Sequence, residues 1–323
     1  MRALRFAQYG APEVLHVVDV PEPEPGAGEA KVRVHAAGLN PLDWKIRAGH
    51  LRMLPFVAAP PRGLGSDFAG EIVAVGGGAT ARHVGERVLG SLLPFSRRGA
   101  LAEFVTASYD RLLPLPDDVD SISAAALPVA GGTALQALVD HAHLLAGQRV
   151  LITGAAGGVG HFAVQIAKHL GAHVTAVCST HNVEFVRGLG ADAVIDYTRD
   201  DFTRATAPWD VIFDAASVAT FGTVSPVLAR SGVYLNTAGS GSALAATLAS
   251  GLIARLTSQR RSIAIVLRSA PAMWQRLLEL FQAGTLRPTI ESIHGLANVA
   301  AAQRAMETGH GRGKKVVTIF DGV

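Results

Sequence analysis

Residues 150–160 read VLITGAAGGVG, an apolar run from Val150 to Thr153 that ends in a turn carrying Gly154, Gly157, Gly158 and Gly160. Glycines at such a turn let backbone N–H groups approach a pyrophosphate, which then sits at the N-terminus of the following helix. HFAVQIAKHLGAH, residues 161–173, has apolar residues at helical spacing, and a second strand is predicted over Val174–Val177. This strand, glycine turn, helix and strand together make the context in which a glycine pattern reads as a dinucleotide site. A tight turn made only for packing is the alternative. In NAD-binding versions of this arrangement an acid about 20 positions further on accepts the ribose hydroxyls. Here the count reaches Cys178, Ser179 and Thr180, then His181 and Asn182, and the nearest acid, Glu184, already lies in the next predicted helix. A carboxylate would repel a 2′-phosphate, whereas hydroxyls, an amide and an imidazole can donate to it. The tip therefore points to NADPH over NADH, although the first arginine is as far away as Arg187. The same residues also suit a polar helix N-cap.

The surrounding chain must position this turn. Its 323 residues suffice for two domains with good cores. Residues 1–123 read as mostly β, with KVRVHAAG (31–38), FAGEIVAVG (68–76) and AEFVTAS (102–108) as strands between Gly and Pro. VPEPEPGAGEA (20–30) is a stiff loop before a strand. From 124 to 270 helix and strand signals alternate, including VEFVRGLG, AVIDY, WDVIFDA and VSPVLARSG, and RRSIAIVLRS (260–269) is the last strand. Such alternation implies an α/β fold, a doubly wound parallel sheet with helices on both faces. The tail, 271–323, offers a helix (271–283), a turn, a helix around 297–307 and a final strand, KKVVTIF, and is expected to return to the first domain.

Composition narrows the function. Charged residues make up 17% and hydrophobic residues 49%, and the net charge is only +3 with basic and acidic residues interleaved, so no nucleic-acid face is evident. The single cysteine, Cys178, rules out an intramolecular disulfide and a cysteine-rich zinc site. No window reads as a membrane span, and the N-terminus lacks an apolar signal region, so a cytoplasmic location is inferred. His141 and His143 are two apart in a predicted helix and do not share a face, which argues against a metal pair.

Two enzyme classes can be tested on the residues. Short-chain dehydrogenases share the glycine pattern but use Tyr-x-x-x-Lys. Four positions after Tyr9, Tyr109, Tyr197 and Tyr234 stand Glu13, Leu113, Asp201 and Ala238, so that class is rejected. Zinc alcohol dehydrogenases share the layout, but catalytic zinc wants Cys, His and Cys or Glu ligands. GSDFAG (65–70) stands where those enzymes carry Gly-His-Glu, so no metal is expected.

With these motifs in order, GLNPLDWKIRAG (38–49), GSDFAGEIVAVG (65–76), LPVAGGTALQAL (127–138), GAAGGVGHFAVQIAK (154–168), NVEFVRGLGADAVIDYT (182–198) and GHGRGKKVV (309–317), nearly the whole chain resembles one family. It is the zinc-free quinone oxidoreductase branch of the medium-chain dehydrogenase/reductase superfamily, near the chloroplast-envelope quinone oxidoreductase homologues and alkenal/one reductases. The resemblance implies a Rossmann domain beside a β-rich GroES-like catalytic domain. It implies NADPH-dependent hydride transfer to an α,β-unsaturated carbonyl or a quinone. By position it implies that Gly157, Gly158 and Val159 line the pyrophosphate. Ser179, Thr180 and Asn182 match the 2′-phosphate tip, with Tyr197 flanking it. Thr133 matches a threonine near the nicotinamide, Asn40 lies where the branch approaches nicotinamide and substrate, and Lys314 matches a lysine that reaches toward the cofactor or, equally, a solvated lysine at a strand start. Ala215 and Ala238 follow strands at the sheet edge where ligands bind.

A conjugated enone is electrophilic at its β-carbon, so hydride can arrive without zinc if donors solvate the developing enolate oxygen. The Asn40 amide, the Thr133 hydroxyl and Lys45 are the candidate catalytic donors. Asp43 reads as a brace of the NPLDW loop. Alternatives are an enoyl-thioester reductase acting on a carrier-bound substrate and a non-catalytic NADPH-binding protein. The small-residue segment 240–258 suggests a roomy apolar wall. The apolar strand Ile263–Leu267, placed at a sheet edge, suggests a homodimer.

Overall fold

The computed structural model describes all residues except 79–81, 96, 205–206, 238–246, 248, 250, 252–258, 269 and 321–323. The chain forms two compact units, residues 1–129 with 269–282 and 288–323, and residues 130–268 with 283–287.

The first unit begins with β1 (Arg2–Phe6), β2 (His16–Asp19), β3 (Glu29–Gly38), α1 (Pro41–Arg47), β4 (Arg62–Gly63), β5 (Asp67–Val75), β6 (Arg87–Ser91), β7 (Phe104–Ser108), β8 (Leu112–Pro114) and α2 (Ser121–Ala126). Along β3 the side chains of Ala30, Val32, Val34 and Ala36 are buried, the period of two expected of a strand with one face on a core. Helix α1 starts where Pro41 fixes its first turn and Asn40 stands at the N-cap with extended backbone. Helix α2, which straddles the change in texture at 124, packs on β3, β5 and β6 of this unit. Its N-cap, Asp120, accepts the Ser123 N–H at 2.8 Å.

The second unit carries α3 (Pro128–Leu135), continued as a wider π turn over Gln136–His141, then β9 (Arg149–Thr153), α4 (Gly160–His169), β10 (His173–Cys178), α5 (Val183–Gly188), β11 (Ala193–Asp196), β12 (Trp209–Asp214), α6 (Phe221–Val224), β13 (Leu228–Asn236) and β14 (Arg261–Ala264). Its six strands lie in the order β11-β10-β9-β12-β13-β14, and every pair is parallel. The order reverses between β9 and β12, the switch point at which open α/β sheets bind ligands beyond their strand C-termini. The centre of β9 is apolar, and Val150, Leu151 and Ile152 are fully buried, as suits a strand covered on both faces.

The chain then returns to the first unit through α7 (Pro271–Gln282), β15 (Ile290–Gly295), α8 (Val299–Glu307) and β16 (Lys314–Thr318). β16 runs antiparallel to β3, pairing Val316 with Gly38 and Thr318 with Ala36, so the seven-stranded sheet is ordered β15-β16-β3-β5-β6-β8 with β7 also on β3.

Three local expectations need correction. The stretch between the tail helices, read as a turn, contains β15, which pairs in parallel with β16. Its alternation of Ile290, Ser292 and His294 with Glu291 and Ile293 is too short and too polar to announce a strand. VSPVLARSG holds only the last residue of α6 and a 3₁₀ turn over Ser225–Val227, because β13 already begins at Leu228, two residues after Pro226. The last strand of the second unit ends at Ala264, so of the Ile263–Leu267 run only Ile263 and Ala264 are paired; the strand does lie at the sheet edge. Segment 240–258 lies almost wholly outside the described residues. Among the described residues no helix is long and apolar enough to cross a membrane.

Candidate active site

In the second unit the glycine turn has the form a phosphate cradle requires. Gly154 has φ +58°, and a Cβ there would lie 2.9 Å from the Ala216 side chain. A Cβ on Gly160 would lie 2.1 Å from the Gly154 carbonyl oxygen, so α4 starts directly against the turn. The Gly157 N–H donates to the Gly154 carbonyl at 2.9 Å. Gly157, Gly158 and Val159 are half-buried at the start of α4, where the first N–H groups of a helix lack intrahelical acceptors. His161, the first residue after the turn, is fully buried with Nδ1 3.0 Å from the Gly157 carbonyl oxygen. It braces the turn from inside.

A buried carboxylate that the sequence reading passed over shapes the neighbouring strand end. Asp214, at the end of β12, accepts from the Thr153 hydroxyl at 2.5 Å, the Val218 and Ala219 N–H groups at 3.1 and 2.8 Å, the Tyr234 hydroxyl at 3.0 Å and the Asn236 amide at 3.1 Å. It ties β9, β12 and β13 together and fixes the loop that starts at Ala215, which is itself half-buried. Burial, followed by the charge of Asp214, pushes the Tyr234 hydroxyl well above the ordinary tyrosine range. Ala238 lies outside the described residues.

At the end of β10, Ser179 and Thr180 are at the surface and Asn182 is buried. The Asn182 amide donates to the Ser179 hydroxyl oxygen at 3.3 Å. Thr180 donates to Asp196 Oδ2 at 2.5 Å, and Thr198 donates to Oδ1 at 2.8 Å through its hydroxyl and at 3.0 Å through its N–H. The tip is free of acids in its own sequence only. The parallel register that sets Cys178 beside Asp196 brings a carboxylate to it from β11. The DYT segment ending a predicted strand was the available signal. Tyr197 is exposed, and its N–H donates to the Cys178 carbonyl at 3.1 Å. Thr133 is buried in α3.

In the first unit Asn40, Asp43, Asp67 and Lys314 form one buried cluster. The Lys314 ammonium donates to the Leu39 carbonyl and to Asn40 Oδ1, both at 2.7 Å, and lies 3.9 Å from Asp67 Oδ2. The Asn40 amide donates to Asp67 Oδ2 at 2.9 Å. Because lysine only donates and an ionised carboxylate only accepts, the Asn40 amide can take only one orientation. Asp43 accepts the Asn40 N–H at 2.8 Å and the Gly65 N–H at 3.1 Å, closing the first turn of α1 and joining it to the segment before β5. The brace read for Asp43 is therefore what its contacts show. Burial drives the Asp43 carboxyl up to about 6, against the pull of the two backbone donors, with Asp67 raising it further and Lys314 lowering it. Burial also raises the Asp67 carboxyl, opposed by Lys314, Asn40, the Val129 N–H and Ser91. It lowers the Lys314 ammonium, opposed by Asp67 and Asp43.

Lys314 is thus buried rather than solvated, its ammonium held by Leu39 and Asn40 and facing Asp67. Lys45 is outside this cluster, half-buried with its ammonium 5.6 Å from the Trp44 ring centroid, and desolvation lowers its pKa. Asp67 is the residue of this site that the reading missed as a functional group. GSDFAG, at the head of β5, carried it in plain view.

The residues do not fit a catalytic zinc. No group of three His, Cys, Asp or Glu side chains that could hold a metal occurs among the described residues. The carboxylate at the relevant segment, Asp67, already faces an ammonium ion.

Residues 26–117 match the alcohol dehydrogenase GroES-like domain, and residues 189–317 match a zinc-binding dehydrogenase domain. The chain is 35% identical over 329 residues to the chloroplast envelope quinone oxidoreductase homolog of Arabidopsis thaliana, covering 98% of each chain. It is 33% identical to the trans-enoyl reductase pgmF of Aspergillus terreus over 314 residues, covering 91% of this chain and 87% of that protein. The solved structure of the quinone oxidoreductase from Coxiella burnetii superposes with a TM-score of 0.87 at 33% identity, covering 99% of each chain. A glycine cradle on a doubly wound sheet, a GroES-like unit and full-length kinship with quinone oxidoreductase homologues assign this chain to the medium-chain dehydrogenase/reductase superfamily, as an oxidoreductase using a nicotinamide cofactor.

Proposed function

We propose that this protein transfers hydride from NADPH to an α,β-unsaturated carbonyl compound or a quinone, without a metal. The observation that carries this reading is Asn40. Its amide oxygen faces Lys314 and one amide hydrogen faces Asp67, and no described residue engages the second hydrogen. A preoriented N–H of this kind suits an oxygen that gains charge during reduction, because it needs no reorganisation when the charge forms. A reduced nicotinamide, when bound, supplies the hydride. The chain's own residues hold the dinucleotide at the glycine turn and α4, fix the strand-end loops through Asp214, and keep Asn40 oriented through Lys314 and Asp67. The donor left on Ser179 and the nearby Arg199 support NADPH. Thr133 and Lys45 are proposed as further donors, and the edge strand β14 supports a homodimer.

The test is loss of NADPH absorbance with a short alkenal, a vinyl ketone and a quinone, with NADH and a chelator as controls. Turnover that a chelator leaves intact is expected. Asn40→Ala should lower kcat by about 100-fold while NADPH binding is kept, the scale of losing one oxyanion donor. A second reading, reduction of an enoyl thioester, is favoured by the kinship with pgmF. Turnover of a crotonyl thioester alone would select it. Tight NADPH binding with no turnover of any acceptor would leave a binding protein. Light scattering at micromolar concentration tests the dimer.

A further inference from the structure

The threonine hydroxyls at the tip of the nucleotide-binding sheet bear on which dinucleotide binds, given the dinucleotide-dependent activity proposed above. Asp196, at the end of β11, takes a hydrogen from each of its two threonine neighbours, from Thr180 to Oδ2 at 2.5 Å and from Thr198 to Oδ1 at 2.8 Å. A hydroxyl has one hydrogen to give. The Thr180 and Thr198 oxygens lie 3.0 Å apart, but with both hydrogens committed to Asp196 the two hydroxyls offer lone pairs outward. Thr180, a donor by its sequence alone, and Thr198 therefore present acceptors at the tip. Ser179 keeps its hydrogen, because it accepts from the Asn182 amide. The opposing charge is Arg199, whose Nε lies 3.7 Å from Asp196 Oδ2 and whose side chain is 73% exposed. A ribose 2′-hydroxyl can donate to such acceptors. A 2′-phosphate only accepts and is anionic, so it meets lone pairs and a carboxylate.

We propose that Asp196 is a specificity-determining residue for the cofactor: acting through Thr180 and Thr198 and by its own charge, it restrains binding of a 2′-phosphorylated dinucleotide relative to the unphosphorylated one. It does so from the strand next to the one where such an acid is ordinarily sought. Arg199 works in the other direction.

Fluorescence titration of NADPH and NADH into the full chain, with no second substrate, tests this without relying on turnover. Calorimetry with 2′,5′-ADP and 5′-AMP repeats it free of the nicotinamide. Asp196→Asn keeps the size of the side chain and removes its charge. It should raise the ratio of NADPH to NADH affinity about tenfold, the scale of one charge-assisted contact, mainly by tightening NADPH. Asp196→Ser should shift the ratio the same way. Thr180→Val leaves the carboxylate in place and should not raise it. An unchanged ratio, or a parallel loss of both cofactors such as a merely structural Asp196 would give, overturns the inference while leaving the dinucleotide reading intact. Failure of the wild-type protein to bind either cofactor overturns both.

Discussion

Asp67 and Asp196 have nearly the same partners and opposite electrostatics. Each stands at one end of a strand, accepts from a neutral polar side chain, and faces a cation at almost 4 Å, Lys314 at 3.9 Å and Arg199 at 3.7 Å. Asp67 is fully buried, and desolvation raises its carboxyl despite the ammonium beside it. Asp196 is near solvent, and the Thr180 and Thr198 donors hold its carboxyl below the ordinary range. The buried group is therefore committed to holding Asn40, since removing its cation would leave a charge with no water to replace it. Asp196 is only partly buried and its ion pair with the exposed Arg199 is screened by solvent, so its charge is free to act on whatever binds.

The largest test of this contrast is Lys314→Met. It should destabilise the protein by about 3–5 kcal/mol in urea unfolding, the scale of breaking a buried pair. Asp67→Asn combined with it should recover part of that loss, and a loss no larger than for a surface lysine would erase the distinction. Next comes Asp43, whose folded-state carboxyl lies at about 6 against 3.8 for the free group. Because the folded state holds the proton more tightly, this group's contribution is fully present below pH 4 and is lost as pH rises through 6. The difference in unfolding free energy between wild type and Asp43→Asn should therefore shift against wild type by about 3 kcal/mol over that window and stay flat above it. Tyr234→Phe removes one of the donors to Asp214 and should cost about 1 kcal/mol, because the Thr153, Val218, Ala219 and Asn236 donors remain. Smallest is Arg199→Ala, which should leave the unfolding midpoint unmoved while lowering NADPH affinity about threefold relative to NADH. A drop in stability there would show that the exposed pair is structural after all.

Much of the second unit was legible from its residues because local rules govern it. The apolar run Val150–Thr153, the glycines after it and the helical spacing of Phe162, Ile166 and Leu170 are neighbours in sequence and in space. The polar tip was misread in one respect. Counting forward from the glycine turn finds only residues on β10, whereas the carboxylate comes from β11 through a parallel pairing. The tail strand β15 escaped notice because neither of its faces is cleanly apolar, Ile293 being exposed beside Glu291 and Ser292 and His294 half-buried, so only its pairing with β16 makes it a strand.

Lys314 shows the same limit over a longer span. As a residue beside a glycine at the start of a strand it could be solvated or could reach a cofactor, and nothing within its own segment distinguishes the two. The antiparallel pairing of β16 with β3 carries it to Leu39 and Asn40, some 275 positions earlier in the chain. The amino-acid sequence by itself determined the fold class, the phosphate-binding turn and the family, because each rests on short-range periodicity and on motifs that keep their spacing. Only the tertiary structure decided which carboxylates are buried, which cation each one faces and which hydroxyl hydrogens are left to give. Those depend on strand register and on exclusion of water, and neither is a property of any single stretch of chain.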